Sequence, residues 1–173
     1  MNAFVSIRGL HHFAYRCRDA EETRHFYEDI LGLPLVHVIR SDYVPSTGEY
    51  CPYVHIFFQM TDGSYIAFFD LGDDTASEPS PNTPAWVNHL ALQVNSVDDL
   101  KAAKARLEAA GIEVLGTTDH RIIQSIYFFD PNGIRLELTT PTVSDEEMAM
   151  LAKKAHREAQ EWVREKQQRR AVL

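Results

Sequence analysis

Cysteine, net positive charge and long apolar runs are all scarce in this chain, and each shortage excludes a class of protein. Cys17 and Cys51 are the two cysteines, too few for a disulfide framework, and they read as free thiols in a reducing compartment. The formal charge of -8 and a pI near 5.4 exclude a nucleic-acid surface, because neutralising phosphates needs clustered Lys and Arg. No stretch approaches the ~20 apolar residues that span a bilayer. The opening MNAFVSIRGL lacks a basic-then-apolar export signal. The expectation is a cytoplasmic protein that meets small molecules rather than membranes or nucleic acid. Its 173 residues suit one domain or two tightly fused modules.

What the chain does contain is a repeat. From His12, HFAYRCRDAEETRHFYEDILGLPLV reads as strand, helix, strand, and from His89, HLALQVNSVDDLKAAKARLEAAGIEVL reads the same way. Asp19 and Ser96 are the expected N-caps, each with an acid three residues on, and Gly32 and Gly111 stand where the helices should stop. Each unit runs into a hairpin, YVHIFFQMTDGSYIAFFDL and then QSIYFFDPNGIRLELT, with Asp62-Gly63 and Asn132-Gly133 at the turns. The fold class that follows is α+β, two βαβββ modules with module one at about 7–71 and module two at about 86–141. A Pro-, Ser- and acid-rich linker at about 72–85 joins them, so the whole chain is expected to be a single two-module domain.

After Pro141 the character changes. Ser144 and Glu147 form a capping box opening a helix at about 144–170, on which Met148, Leu151, Ala155, Ala159 and Trp162 make one apolar stripe. That amphipathic stripe is expected to pack on its own domain or to serve as a subunit interface in a homodimer.

Strand alternation then selects side chains. His12 shares a face with Ala14 and Arg16, and His89 with Ala91 and Gln93, opposite the apolar row that should carry the helix. On the last strand Glu137 lies opposite Ile134, Leu136 and Leu138. A carboxylate there needs a partner. Two neutral imidazoles at repeat-equivalent positions plus one carboxylate suit a divalent metal, so His12, His89 and Glu137 are the candidate ligands, with Arg135 the rival partner of Glu137.

The segments HHFAYRCRD, HFYEDILGLPL, VNHLALQV and FFDPNGIRLEL resemble the vicinal oxygen chelate superfamily, which includes glyoxalase I, methylmalonyl-CoA epimerase, fosfomycin-resistance proteins and type I extradiol dioxygenases. The resemblance runs from about Ile7 to Pro141. It implies a U-shaped mixed sheet around a single metal, with ligands falling on His12, His89 and Glu137. The fourth ligand of glyoxalase I falls on Ala67, which cannot bind metal, so positions stay open for substrate and dioxygen. Tyr127, ten residues before Glu137, and His120 match residues that extradiol dioxygenases place beside the metal. That family's acid/base histidine falls on Ser64, a poor proton acceptor, and His55 is the substitute that the repeat correspondence suggests. Phe57, Tyr65, Phe69 and Phe129 would line an aromatic cavity.

These features lead to one expectation with two alternatives. The first is a metal-dependent oxidoreductase, an Fe(II) extradiol ring-cleaving dioxygenase acting on a small catechol-like aromatic or other vicinal-dioxygen substrate. The second is a glyoxalase-like or fosfomycin-resistance-like lyase, isomerase or transferase using Mn(II), Ni(II) or Zn(II). The third is a bleomycin-resistance-like binding protein that sequesters a planar ligand.

Overall fold

The computed structural model describes residues 5–171. The first four residues of the stretch read above for an export signal lie outside it. Module one consists of β1 (His12–Cys17), α1 (Ala20–Arg24) with a π-helical continuation (His25–Ile30), β2 (Leu35–Tyr43), β3 (Tyr50–Gln59) and β4 (Tyr65–Asp70). Module two repeats the order with β5 (Leu90–Gln93), α2 (Val97–Ala109), β6 (Leu115–Asp119), β7 (Ile123–Phe129) and β8 (Arg135–Pro141). Each makes a four-stranded mixed sheet, ordered β1-β4-β3-β2 and β5-β8-β7-β6, so the architecture is the expected α+β pair of βαβββ modules. The strands carrying His12 and adjoining His89 are both edge strands.

The local signals behave as their chemistry requires. Asp19 accepts a hydrogen bond from the Glu22 amide and Ser96 one from the Asp99 amide, satisfying the open amides of each helix start. Gly63 and Gly133 take φ of 87° and 80° at the hairpin turns, a region a side chain would strain. Both cysteines are free thiols, Cys17 buried and Cys51 half-buried.

One core serves both modules. Phe26, Tyr27, Ile56, Phe58, Ile66 and Phe68 from the first join Leu100, Leu107, Ile126, Phe128, Leu136 and Leu138 from the second in a single apolar cluster. Tyr27 stacks on Phe58 at 5.3 Å and meets Phe68 at 4.9 Å, contacts worth about 0.5–1.5 kcal/mol each beyond area burial. The helix-covered faces of the two sheets therefore share one interior. A polar latch crosses the same boundary: the Asn132 amide donates to Thr23 Oγ1 at 3.2 Å, and the Arg18 amide donates to Asn132 Oδ1 at 2.9 Å.

The last helix, α3 (Asp145–Ala171), is capped as expected, Ser144 and Glu147 exchanging side-chain to backbone hydrogen bonds at 3.0 and 3.3 Å. It does not pack on the domain. From Asp145 to Arg170 every side chain except Glu161 is exposed. The reading that its stripe docks on its own domain is thereby corrected, because the apolar faces of both sheets are already filled by each other's core.

Candidate metal centre

β5 and β8 run parallel, with Ala91 opposite Glu137, which places His89 at the mouth of β5 beside the carboxylate. His89 Nε2 lies 2.9 Å from Glu137 Oε2, while its Nδ1 lies 2.9 Å from the Val87 carbonyl. A carbonyl only accepts, so Nδ1 carries the ring proton. In the neutral ring Nε2 then presents its lone pair to a carboxylate, and two such acceptors stay in contact only with a proton or a cation between them. Glu137 is 3% exposed and its Oε1 accepts from Ser125 Oγ, so the group is buried, oriented and short of positive charge. This pair fits a divalent cation: one imidazole tautomer is held by an outer hydrogen bond, and one carboxylate is aimed at the same point.

Arg135 does not supply the missing charge. Its guanidinium sits over the Tyr127 ring at 4.3 Å instead. The Tyr127 hydroxyl is 2.7 Å from His120 Nε2, and its ring meets His89 edge-on at 6.1 Å. Burial raises the Tyr127 hydroxyl above its ordinary range, with Ser125 acting against the rise. His89, Glu137, Tyr127 and His120 thus form one constellation, four of the six residues singled out from sequence.

The other two lie on the other sheet. His12 contacts His11 through their Nδ1 atoms at 2.8 Å and stands 6.4 Å from His55 and 5.8 Å from Phe57, ring centre to ring centre. His55 is stacked on Phe69 at 3.6 Å and is 7% exposed, and among the described residues its Nε2 has no hydrogen-bond partner. Burial, helped by His12 and His37, lowers its pKa to about 4, so it is a neutral base at pH 7. Ala67 is fully buried and Ser64 is committed to its turn, its hydroxyl donating to Asp62 Oδ1 at 2.6 Å. Among the described residues no three His, Cys, Asp or Glu side chains gather tightly enough to hold one ion. His12 is carried by the other four-stranded sheet and does not join His89 and Glu137, and the core that the two modules share is built from their helix-covered faces.

A cavity of about 320 Å³ opens beside His89, lined by Tyr15, Asn88, Phe129, Arg135 and linker residues from Ser77 to Ala85. Phe129 lines it as expected, whereas Phe57, Tyr65 and Phe69 surround His12 and His55 instead. Sequence reasoning missed Tyr15, Asn88 and the linker, which carry no pattern marking them as walls. Ser125, two residues before Tyr127 and on the same face of β7, was given no role.

The family model describing the Glyoxalase/Bleomycin resistance protein/Dioxygenase superfamily matches residues 9–138. The chain belongs to this superfamily. The uncharacterized protein YwkD of Bacillus subtilis is 31% identical over 135 residues, 76% of this chain and 96% of its own length. Biphenyl-2,3-diol 1,2-dioxygenase of Paraburkholderia xenovorans is 30% identical over 134 residues, 75% of this chain but 40% of the dioxygenase. Among solved structures, a glyoxylase/bleomycin resistance protein/dioxygenase domain from Frankia has a TM-score of 0.64 at 21% identity, covering 79% of this chain and 99% of that domain. The fosfomycin resistance protein FosX from Listeria monocytogenes, solved with Mn(II) and sulfate, has a TM-score of 0.56 at 22% identity, covering 80% of this chain and 96% of that one. Among the described residues no helix is long and apolar enough to cross a membrane.

Proposed function

We propose that this superfamily member is a metal-dependent oxidoreductase, an Fe(II) extradiol dioxygenase that opens the ring of a small catechol-like aromatic. The observation that carries the reading is the His89–Glu137 contact with the Nδ1 proton held by Val87, flanked by the Tyr127–His120 pair. The likeness to biphenyl-2,3-diol 1,2-dioxygenase supports it.

His89 and Glu137 would supply two ligands, and His12 the third. Since one chain does not bring His12 to them, we infer a homodimer in which the partner's His12 completes each site, the edge strands β1 and β5 offering free backbone for pairing. Such an ion supplies Lewis-acid charge and the electron-transfer chemistry that oxygen insertion into an aromatic ring requires. The chain's own residues do the rest. The Tyr127 hydroxyl, steered by His120, hydrogen-bonds a substrate oxygen held beside His89, and Arg135 keeps the Tyr127 ring in place from its far face. His55, neutral and with its Nε2 unpaired among the described residues, would accept the proton of a substrate hydroxyl on the His12 side of the site.

Fe(II)-loaded protein mixed with a catechol panel in air tests this directly: an absorbing ring-opened product is expected, and His89→Ala abolishes it. A second reading, a metal-dependent lyase, isomerase or transferase, is favoured by Ser64, whose engagement with Asp62 leaves no proton carrier at the position the dioxygenases use. Turnover without oxygen and with Mn(II), Ni(II) or Zn(II), and none of any catechol, selects that class instead. Retention of a planar ligand by metal-free protein after His12→Ala selects a binding protein.

A further inference from the structure

Strand register sets Arg135 in a row with two other side chains. Phe129 of β7 pairs directly with Arg135 of β8, and Leu90 of β5 pairs with Leu136, so His89 stands one step back beside Arg135. Residues two apart on a strand share a face, so Arg135 looks out with Glu137 and, across the ladder, with Tyr127 and Phe129. A cation thus stands between a candidate metal ligand and an aromatic ring, one strand spacing of about 4.8 Å from each.

Among the described residues this cation has no anion. Glu137, the nearest acid on its strand, is engaged by His89 and Ser125. Glu78 lines the same cavity as Arg135, but it is an exposed linker residue and makes no ion pair with it. The guanidinium is half-buried, with one flat face over the Tyr127 ring at 4.3 Å. Stacking leaves its N–H donors unspent, because they radiate in the plane of the group. Those donors find no partner among the described residues, and Arg135 borders the cavity beside His89.

The cavity walls indicate what carries the missing anion. Phe129 and Tyr15 both line it, and they are 47% and 36% exposed. Phe13 meets the Tyr15 ring at 4.3 Å, which fixes that wall. The linker adds Pro79 and Pro84, apolar and stiff. Open aromatic faces in a space of about 320 Å³, near the lower end for small-molecule sites, suit one flat ring.

We propose that Arg135 selects substrates bearing a carboxylate on the aromatic ring, receiving that group through two parallel N–H bonds while the ring rests on Phe129 and Tyr15. The vicinal oxygens of the ring then lie toward His89. That second part rests on the dioxygenase reading above, whereas the carboxylate contact does not.

Binding to the full-length chain stripped of metal, so that no ion competes for the carboxylate, separates the two. Benzoate, benzamide and acetate are titrated at one ionic strength and their affinities read from protein NMR shifts. Wild type is expected to bind benzoate about tenfold or more tighter than benzamide, its uncharged analogue, and than acetate, which lacks the ring. Arg135→Met keeps a stem against Tyr127 without the charge and should bring the benzoate-to-benzamide ratio close to one. A displaced Tyr127 ring would weaken both ligands alike, so the ratio isolates the charge. No measurable benzoate binding, equal affinity of wild type for benzoate and either comparison ligand, or a ratio that survives Arg135→Met overturns the proposal. The wild-type comparison decides even where the variant does not fold. Benzoate preference in a protein that cleaves no catechol would sink the dioxygenase reading alone, and catechol cleavage without that preference would sink this proposal alone.

Discussion

The hydroxyl of Tyr27 donates to Asp130 Oδ2 at 3.0 Å, tying the helical segment of module one to the hairpin turn of module two in the buried core. Burial holds the Tyr27 hydroxyl well above its ordinary pKa, so it stays a donor. Asp130 also accepts from the Asn132 and Ile134 amides at 2.9 and 2.7 Å, which shapes the turn leading into the strand of Glu137. Tyr27→Phe is expected to destabilise the protein by about 1–2 kcal/mol, and Asp130→Ala by roughly 3 kcal/mol or more because four donors, the Asn132 side-chain amide included, lose an acceptor. Denaturant unfolding measures both, and an Asp130→Ala cost no larger than that of Tyr27→Phe would remove the latch from this account.

That latch joins the two modules through their core, and complementation tests the two-chain site proposed above. His12→Ala and Glu137→Ala should each purify without metal. Unfolded together and refolded as a mixture, they should regain metal in the mixed dimers, at one ion per pair, because one of the two sites then combines His12 from one copy with His89 and Glu137 from the other. Elemental analysis reads the outcome. A mixture as metal-free as its parents would mean that each site belongs to a single chain.

Much of this was legible in the sequence for identifiable reasons. The caps at Asp19, Ser96 and Ser144 and the turns at Gly63 and Gly133 are set by chemistry within a few residues, and the structure places each as its pattern predicts. The contact between His89 and Glu137 followed from strand alternation on two neighbouring strands. The position of His12 relative to them did not, because alternation chooses a face within one sheet and is silent on how two sheets are turned. That depends on the core packing of Tyr27, Phe128 and their neighbours, which no local pattern records. The Asp130-Pro131-Asn132-Gly133 turn was readable as a family signature, but its role as the partner of Tyr27 and Thr23 needed tertiary structure.

Tyr127 offers the cleanest separation of binding from chemistry. Its hydroxyl lies 2.7 Å from His120 Nε2 and also meets the Ser125 and Glu137 side chains, and its ring is held by Arg135. Tyr127→Phe keeps the ring and its stacking, so metal content should match wild type while turnover falls about 100-fold, within the range for losing a positioned proton donor or acceptor. Parallel metal analysis and single-turnover rates decide it. Unchanged turnover would leave Tyr127 a packing residue.

His55 makes the acid stability of the metal-free protein a test of its burial. Its folded pKa is lowered from 6.5 to about 4, by burial first and then by His12 and His37. Above the unfolded value neither state is protonated at this ring and His55 contributes no pH dependence. As pH falls through the window between the two values, the unfolded chain takes up the proton that the folded chain refuses, so stability drops until the folded pKa is reached and then levels off. Wild type should lose on the order of 2 kcal/mol more than His55→Gln across that window. Urea midpoints collected at several pH values for both proteins compare the two slopes. Parallel slopes would show that the imidazole is hydrated in solution, and with it the reading of His55 as a neutral base beside His12 would fall.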